Sequence, residues 1–435
     1  MPVFTQSIDG AASAEQVLRR LAVRARRRGL PPPAALTGDW FGGSAVLAPS
    51  VRIDATPPER AFSTVDTATA HAEPGPVGGG WIGYLGYGLT DPGRHARPRR
   101  LPTAAWGWAD HVLRRDAGGQ WWFEALAPAE PELVAELAEV VAAESAPPAE
   151  WTAGPVRQPD ADEHAKAVLG CVEEIGAGEI FQANICSRFE VPFQGDPLEV
   201  FALGSARFQP ARAAYVAGSW GAVASLSPEL FLTRRGRVVH SRPIKGTLPR
   251  RGPQDDGNAD LLRASVKDVA ENVMIVDMAR NDLGRVAEVG RVTVPRLLDV
   301  QPHPGVWHLV SDVRAEVPAE LPNSALLATA FPPASVTGAP KVRALEVIAE
   351  LESQPRDVYC GAVGMVSPVA GLELNVAIRT LEHADGVLHL GVGGGITADS
   401  DPDREWQEVL AKAAPALSLL TPDDEPPRAG QRDSP

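Results

Sequence analysis

Apolar and polar positions divide the chain into short strand-like runs and a smaller number of strongly periodic helices. Short apolar runs separated by glycines follow the prolines at 31–33, a pattern typical of antiparallel strands joined by long loops. The predicted strands in this part of the chain are 44–47, 81–87, 104–108 and 121–123. Recurring apolar residues at helical spacing predict helices at 13–28, 129–145 and 160–176.

The clearest helix pattern covers residues 259–280. Steps of four and three residues define a seam that we expect to face the core, formed by Leu262, Val266, Val269, Val273 and Val276. Asp268 and Glu271 lie three residues apart on the opposite side, where two carboxylates repel each other unless something compensates them. A hard cation such as Mg²⁺ would do so, since it commonly takes one or two protein carboxylates.

A second acidic pair occurs near the end of the chain. Ser400 or Asp401 is predicted to cap a helix that carries Glu405 and Glu408, again three residues apart. A surface ion pair between Glu408 and Lys412 explains part of this pattern equally well. Pro415 is expected to stop or kink the helix.

A hairpin in the middle of the chain brings an acid and an amine together. The strand after Glu229 turns at 235–237 and returns along 238–241, which places Glu229 opposite Arg242 and Lys245 just beyond the open end. Pro243 and Gly246 bracket Lys245 and indicate a sharply turned segment. The pair is either an ordinary surface salt bridge or a nucleophile beside a proton donor. A lysine attacks as the free amine, which desolvation or nearby positive charge favours.

Three later stretches carry candidate ligand-binding groups. The small-residue turn at 334–341 opens a helix, and its amides either hold an anion or only cap that helix. Residues 372–382 alternate as one strand, turn at 384–386 and return along 387–392. Arg379 would share a face with Asn375 and Ala377, where it is either solvated or clamps a carboxylate. The glycines at 393–395 expose bare backbone to a ligand.

Composition limits the classes of function. The chain has 435 residues and a net charge of −14, which argues against nucleic-acid and membrane-surface partners. Three separated cysteines and no long apolar run indicate a cytoplasmic protein without disulfides or membrane spans. Length alone favours two to three domains. The proline-rich stretch 146–159 marks an organisational boundary, and the tail at 421–435 is predicted to be disordered.

Residues from about 160 to 418 resemble the chorismate-utilising enzymes. The motifs that carry the resemblance are 178–184 (GEIFQAN), 227–229 (SPE), 243–247 (PIKGT), 270–272 (AEN), 275–282 (IVDMARND), 308–311 (HLVS), 336–341 (VTGAPK) and 393–395 (GGG). The resemblance implies one α+β unit of two facing antiparallel β-sheets with outer helices. Residues 1–150 would form its variable N-terminal part, and residues 151–420 its chorismate-binding catalytic region.

The resemblance also implies a set of site residues. Glu271 and Glu408 would bind Mg²⁺, with Asp268 and Glu405 in support, and the ion would hold the ring carboxylate of chorismate. Lys245 would attack ring C2 while Glu229 acts as general acid. The enolpyruvyl carboxylate would contact Arg379, Tyr359 and the amides of Gly393 and Gly395. The pocket would further be lined by Thr337, His308 (counted as catalytic), Lys412 and Gln182.

Within the family, Lys245 and Gln182 point to the branch that aminates chorismate to 4-amino-4-deoxychorismate, towards 4-aminobenzoate. Anthranilate synthases usually carry alanine at the first position, and isochorismate and salicylate synthases carry lysine at the second. Nothing in the chain resembles a glutamine amidotransferase, so ammonia would come from a separate amidotransferase subunit or from solution. The alternatives are an anthranilate synthase component and a catalytically silent chorismate-binding regulatory subunit.

Overall fold

The computed structural model describes residues 3–66, 75–92, 98–144 and 147–421. The predicted disordered tail lies outside these residues except for Thr421, and so does the first residue of the proposed boundary, Ala146.

The first of two antiparallel sheets has twelve strands among the described residues. In spatial order they are β1 (Phe4–Ile8), β8 (Trp121–Ala125), β7 (His111–Asp116), β3 (Gly43–Ala48), β2 (Ala34–Trp40), β11 (Arg212–Gly218), β12 (Gly221–Ser225), β21 (Thr380–Ala384), β22 (Val387–Ile396), β10 (Gln182–Gln194) and β18 (Gly338–Ala339), with β9 (Thr152–Ala153) also paired to β10. The four strands predicted between 44 and 123 fall in this sheet or in the second one.

The second sheet has ten strands in the described part of the chain. In spatial order they are β15 (Ile244–Arg250), β17 (Gly305–Glu316), β14 (Val238–Arg242), β13 (Leu230–Arg235), β20 (Gly371–Val376), β19 (Ala362–Ser367), β5 (Gly80–Leu85), β6 (Ala104–Ala109) and β4 (Asp54–Ala55), with β16 (Val292–His303) also paired to β17. Both sheets combine strands from before and after residue 150, so the two parts of the chain share the same sheets.

The two sheets face each other across a common apolar core. Val46 and Val223 of the first sheet pack in one buried cluster with Ile82, Val363 and Met365 of the second. Because this cluster takes side chains from both sheets, it fixes their separation by ordinary side-chain packing. The predicted α+β architecture of facing antiparallel sheets is therefore confirmed.

Helices cover the outer faces of the sheets. They are α1 (Ala14–Arg28), α2 (Pro131–Ala142), α3 (Ala161–Gly176), α4 (Pro197–Phe208), α5 (Asn258–Ala264), α6 (Val266–Gly284), α7 (Asn323–Ala330), α8 (Lys341–Leu351) and α9 (Pro402–Leu417). Helices α1, α2, α4 and α9 pack on the first sheet, and α6 and α7 pack on the second. The helices predicted at 13–28, 129–145 and 160–176 correspond to α1, α2 and α3. Pro415 does not stop α9, since the helix continues to Leu417.

The helix predicted at 259–280 is two helices, and only part of its predicted seam faces the core, since Leu262 and Val276 are buried. Ser265 interrupts the run because its side chain caps α6 by accepting a hydrogen bond from the backbone of Asp268. Val266 is 83% exposed and Val273 37% exposed, whereas Asn272 is fully buried. The amide of Asn272 donates to the Leu309 carbonyl at 3.1 Å and accepts from the Ser311 hydroxyl at 2.6 Å. These buried polar partners orient the helix and turn part of the valine seam outwards.

The single strand predicted at 372–382 is also wrong. β20 ends at Val376 in the second sheet, and the chain crosses to the first sheet before β21 begins at Thr380. Arg379 lies in the crossing with a left-handed φ of 49°, so period-two alternation does not relate it to Asn375. The turn predicted at 384–386 is confirmed, with positive φ at Asp385 and Gly386.

A buried ion pair secures the loop that leads to β19. The Arg356 side chain is 2% exposed and its guanidinium contacts Glu352 at 2.6 Å. The same guanidinium donates to two backbone carbonyls and stacks on Tyr87 at 4.5 Å. Glu352 also accepts a hydrogen bond from the Cys186 amide of β10 at 2.9 Å. The pair thus connects three separate chain segments.

We expect Glu352→Gln to lower the free energy of unfolding by about 3–5 kcal/mol, because it leaves the Arg356 charge buried without its partner. Chemical denaturation measures the change. Glu174→Gln is the control, since Glu174 forms a half-exposed pair with Arg343 at 2.9 Å and its loss should cost less than about 1 kcal/mol. Equal costs for the two variants would contradict the expectation.

Candidate functional site

The centre of the candidate site is the glycine segment of β22. Its backbone pairs with β10, so that Gly395 lies opposite Asn184 and Gly393 opposite Cys186. A Cβ atom at Gly394 would lie 3.1 Å from a carboxylate oxygen of Glu405. Side chains on this segment would therefore occupy the space next to the charged groups, which explains why glycines are needed here.

The acidic pairs of α6 and α9 converge on these glycines. A Cβ atom at Gly395 would lie 3.4 Å from Glu271 Oε2, and one at Gly394 would lie 3.6 Å from Glu408 Oε1. Glu405 is 4% exposed; the Ser400 hydroxyl donates to its Oε1 at 2.7 Å, while its Oε2 is buried without a hydrogen-bond partner. The prediction that two distant helices bring their carboxylates to one place agrees with this geometry.

Asp268 differs from the other three acids. Its carboxylate accepts a hydrogen bond from the Ser265 hydroxyl, and its amide donates back to Ser265 at 3.2 Å. Asp268 is thus also part of the helix cap. Gly246 permits this close approach, because a Cβ atom there would lie 3.0 Å from Asp268 Cβ.

Three lysines surround the carboxylates. Lys245 Nζ lies 3.5 Å from Glu271 Oε2, and Lys412 Nζ lies 2.6 Å from Glu408 Oε1. Lys267 Nζ lies 3.9 Å from Glu271 and 3.8 Å from Glu405. Lys267 was not predicted as a site residue, although its position four residues before Glu271 is a recognisable ion-pair spacing.

Lys245 lies in an irregular part of β15. The pairing of β15 with β17 shifts register between Ile244 and Thr247, and Gly246 has a left-handed φ of 88°. This bulge directs the Lys245 side chain, which is 13% exposed, towards Glu271. The sharply turned segment predicted around Lys245 is therefore present. The predicted partner of Arg242 is displaced by one residue, because Leu230 rather than Glu229 lies opposite it.

Glu229 is buried beside Lys245. Its carboxylate accepts a hydrogen bond from the Ile244 amide at 3.3 Å, and its side chain is closed off from solvent at 3% exposure. Burial raises the pKa of Glu229 to about 7, against the opposing effects of the Ser335 hydroxyl, the Ile244 amide, Lys245 and Arg379. A carboxyl group with a pKa near neutrality can both give and take a proton.

The Arg379 charge acts on both Glu229 and His308. The Arg379 side chain is open to solvent but closely surrounded by protein, and this desolvation lowers its pKa while the Glu229 charge acts in the opposite direction. Burial lowers the pKa of His308 to about 3, with Arg379 and His303 contributing. His308 is therefore neutral, and its Nδ1 lies 2.8 Å from the Thr247 hydroxyl.

Tyr359 lies in the turn before β19 and packs against β22. Its ring packs on Gly391, where an added Cβ atom would lie 2.4 Å from the ring, and burial raises the pKa of its hydroxyl well above the usual value. A cavity of about 50 Å³ borders Tyr359 at the open edge of β10. Lys245, Gly393 and Gly395 do not line that cavity, so it is not the space above the acidic cluster.

Thr337 and Gln182 approach the glycine segment from the side of β10. The Thr337 hydroxyl donates to the Ala334 carbonyl at 3.2 Å, and the Thr337 carbonyl accepts from the Asn184 amide at 2.7 Å. Gln182 is buried with its Oε1 unpartnered, and its Nε2 would lie 3.7 Å from a Cβ atom at Gly395. The 334–341 turn also uses Lys341 structurally, since Lys341 pairs with Asp282 and donates to two carbonyls.

The acidic cluster suits a hard divalent cation. Its oxygens come from carboxylates, and the buried Oε2 of Glu405 finds no hydrogen-bond partner among the described residues. Over the same residues, no three metal-ligating side chains gather closely enough to enclose an ion alone. Mg²⁺ fits such a set because it completes its coordination with water and substrate oxygens.

Comparisons with known proteins agree with the fold. The family model described as chorismate binding enzyme matches residues 37–418. The chain aligns over 97% of its length with anthranilate synthase component I from Streptococcus pneumoniae, covering 93% of that chain with a TM-score of 0.70 at 22% identity. It aligns over 97% with the menaquinone-specific isochorismate synthase from Escherichia coli, covering 94% of that chain with a TM-score of 0.74 at 19% identity.

Curated relatives are more similar in sequence. The chain is 44% identical to aminodeoxychorismate synthase component 1 of Escherichia coli over 250 residues, which is 57% of this chain and 55% of that protein. It is 38% identical to aminodeoxychorismate synthase of Streptomyces pristinaespiralis over 366 residues, which is 78% of this chain and 50% of that protein. It thus spans about half the length of the curated relatives it matches. In the described residues, no helix is long and apolar enough to cross a membrane. With a family model matching most of its length, the chain belongs to the chorismate binding enzymes.

Proposed function

We propose that the chain is an aminodeoxychorismate synthase component, which aminates chorismate with ammonia to 4-amino-4-deoxychorismate, towards 4-aminobenzoate. The observation that carries the proposal is the position of Lys245. Its amine lies 3.5 Å from Glu271 in the acidic cluster, and its charge interacts with the buried Glu229 carboxyl. An amine and a buried carboxyl group that acts on its charge thus lie beside the acidic cluster, which supports a nucleophile and a proton donor next to a metal-binding region.

In the proposed reaction the free amine of Lys245 forms a bond to ring C2 while the C4–O bond breaks. The buried Glu229 gives its proton to the departing C4 hydroxyl, which leaves as water. Ammonia then bonds to C4, the C2–N bond breaks and Lys245 leaves as its free amine, while the proton lost from the new C4 ammonium group returns to Glu229. Overall, one ammonia replaces one hydroxyl and one water is released. A Glu229 pKa of about 7 suits this exchange, because the group is partly protonated at neutral pH.

Glu271 and Glu408 would hold Mg²⁺, with Asp268 and Glu405 close by. When bound, the ion would neutralise the ring carboxylate of chorismate and fix its position. Glu271 Oε2 and Lys245 Nζ would both lie 3.4 Å from a Cβ atom at Gly395, so Glu271 lies next to both the amine and the glycine backbone, which suits a ligand of that ion.

The remaining predicted residues would bind the substrate. Arg379 is exposed to solvent and its charge acts on both Glu229 and His308, which suits a carboxylate clamp. The neutral His308 would contact the ring without adding charge. The other proposed substrate-binding groups are Tyr359, Thr337, Lys412, Gln182 and the amides of Gly393 and Gly395.

Ammonia would come from a separate glutamine amidotransferase subunit or from solution. The similar protein of Escherichia coli is described as component 1, which implies a second component. Glutamine-dependent activity that appears only when such a subunit is added would support this part of the proposal.

Product identification tests the function. The purified chain is incubated with chorismate, ammonium and Mg²⁺, and the product is identified by mass spectrometry. We expect 4-amino-4-deoxychorismate. Anthranilate would instead favour the first alternative, an anthranilate synthase component. The absence of any aminated product in the presence of bound chorismate would favour a silent binding subunit.

A further inference from the structure

Lys267 has no role in the reaction proposed above, yet it connects the two acidic helices. It lies in the first turn of α6, and its ammonium group lies 3.9 Å from Glu271 Oε1 and 3.8 Å from Glu405 Oε1. Glu271 belongs to the same helix, whereas Glu405 belongs to the first turn of α9. One positive charge thus holds carboxylates of two distant chain segments together.

The acidic site contains almost as many positive as negative charges. The carboxylates are those of Asp268, Glu271, Glu405 and Glu408, and the ammonium groups are those of Lys245, Lys267 and Lys412. With all three lysines protonated, as before the reaction, the cluster has an excess of a single negative charge. A divalent cation alone would reverse the sign of this charge, whereas a dicarboxylate alone would make it strongly negative. The reversed sign is avoided when Lys267 moves into solvent, because the remaining carboxylates then exceed the ammonium groups by two charges, which the ion neutralises.

The three lysines differ in their freedom to move. The Lys267 side chain is 53% exposed and its two ion pairs are long, so it can leave the site for solvent at small cost. Lys245 is 13% exposed and is held in the strand bulge. Lys412 pairs with Glu408 at 2.6 Å and also donates to the Gly393 carbonyl. Lys267 is therefore the cation that an incoming metal ion displaces most easily.

We propose that Lys267 is an internal counterion of the acidic site, which Mg²⁺ displaces, and that it makes the binding of Mg²⁺ and chorismate mutually dependent. This inference rests on the metal and the substrate of the proposed function. Lys267 weakens binding of the free ion by competing for Glu271 and Glu405. The carboxylates of chorismate supply the negative charge that offsets this competition. By linkage, each ligand then strengthens the binding of the other by the same factor.

The test compares Lys267→Met with Lys166→Met, which removes an exposed lysine of α3. Methionine keeps most of the apolar stem and removes the charge. Calorimetric titration with Mg²⁺, without chorismate or ammonia, should give roughly three- to tenfold tighter binding for Lys267→Met, because no ammonium group then competes electrostatically with the ion for Glu271 and Glu405. In EDTA, Lys267→Met should melt below wild type and recover with Mg²⁺. Lys166→Met should match wild type in both measurements.

A second titration measures the coupling of the two ligands. In wild type, saturating chorismate should strengthen Mg²⁺ binding severalfold, and this factor should shrink in Lys267→Met. Unchanged or weaker Mg²⁺ binding by Lys267→Met would overturn the proposal, as would the absence of Mg²⁺ binding in wild type with chorismate present. Neither titration requires ammonia or product formation. A product other than 4-amino-4-deoxychorismate would therefore contradict the proposed function, while the role of Lys267 would still be decided by the titrations.

Discussion

Lys245→Ala is expected to lower the rate of chorismate amination by roughly a thousandfold or more, because the proposed covalent route has no other nucleophile. The measurement is steady-state turnover with ammonium as the nitrogen donor. Intact-protein mass spectrometry should detect a chorismate-derived adduct on wild type incubated without ammonia, and none on Lys245→Ala. The change leaves the carboxylates of Glu271 and Glu229 in place.

The control is Lys166→Ala, which removes a lysine of α3 and should retain full turnover. Amination that proceeds in Lys245→Ala at a rate near wild type would show that the lysine is not the nucleophile, even if the product is the expected one. If wild type aminates chorismate but shows no chorismate-derived adduct, the same conclusion follows. A Lys245→Ala enzyme that also fails to bind chorismate would instead assign the residue to substrate binding.

Glu229→Gln is expected to lower turnover by about 10²–10⁴-fold, the usual contribution of a positioned general acid. Glutamine keeps the acceptor for the Ile244 amide, so the change removes mainly the exchangeable proton. In wild type, a Glu229 pKa of about 7 predicts that kcat/KM falls as the pH rises through neutrality. This limb of the pH profile should be absent from the residual activity of Glu229→Gln. An unchanged limb would assign the ionisation to another group.

The same substitution should stabilise the protein at alkaline pH. The pKa of Glu229 is raised from 4.5 to about 7 on folding, so the native state holds the proton more tightly than the unfolded chain. Wild type therefore loses stability as the pH rises from 4.5 to 7, by about 2–3 kcal/mol, and Glu229→Gln lacks this loss. Denaturant unfolding of both proteins at pH 5 and pH 8 measures the difference. Equal pH dependence in the two proteins would contradict a raised pKa.

Much of the fold follows from local patterns in the sequence. Glycine and proline positions and alternating apolar residues located most strands, and capping residues located the helices. Part of the core face of α6 was mispredicted because Val266 and Val273 follow the core spacing, while the decisive contacts come from Asn272 with distant β17. The break at Arg379 was missed because a strand that changes sheets keeps the same local pattern on both sides. Partners so distant in sequence produce no recognisable residue pattern within a single segment.

The site was predicted unevenly for the same reason. Glu271, Glu405 and Glu408 carry a spacing signal within their helices, and their convergence agrees with the expectation drawn from the family resemblance. Lys267 was missed because its second partner, Glu405, lies far along the chain, so only the i,i+4 spacing to Glu271 was visible. The raised pKa of Glu229 depends on burial by several segments. No sequence pattern reports that burial.

The mixing of early and late strands in both sheets has a consequence for biosynthesis. Gly83 of β5 pairs with Gly364 of β19, and Ala35 of β2 pairs with Tyr215 of β11. The first third of the nascent chain therefore leaves the ribosome with unpaired strand edges that only much later segments can cover. These edges remain open to intermolecular pairing until β19 has been synthesised, so the interval before that point is when a chaperone would protect the growing polypeptide most effectively.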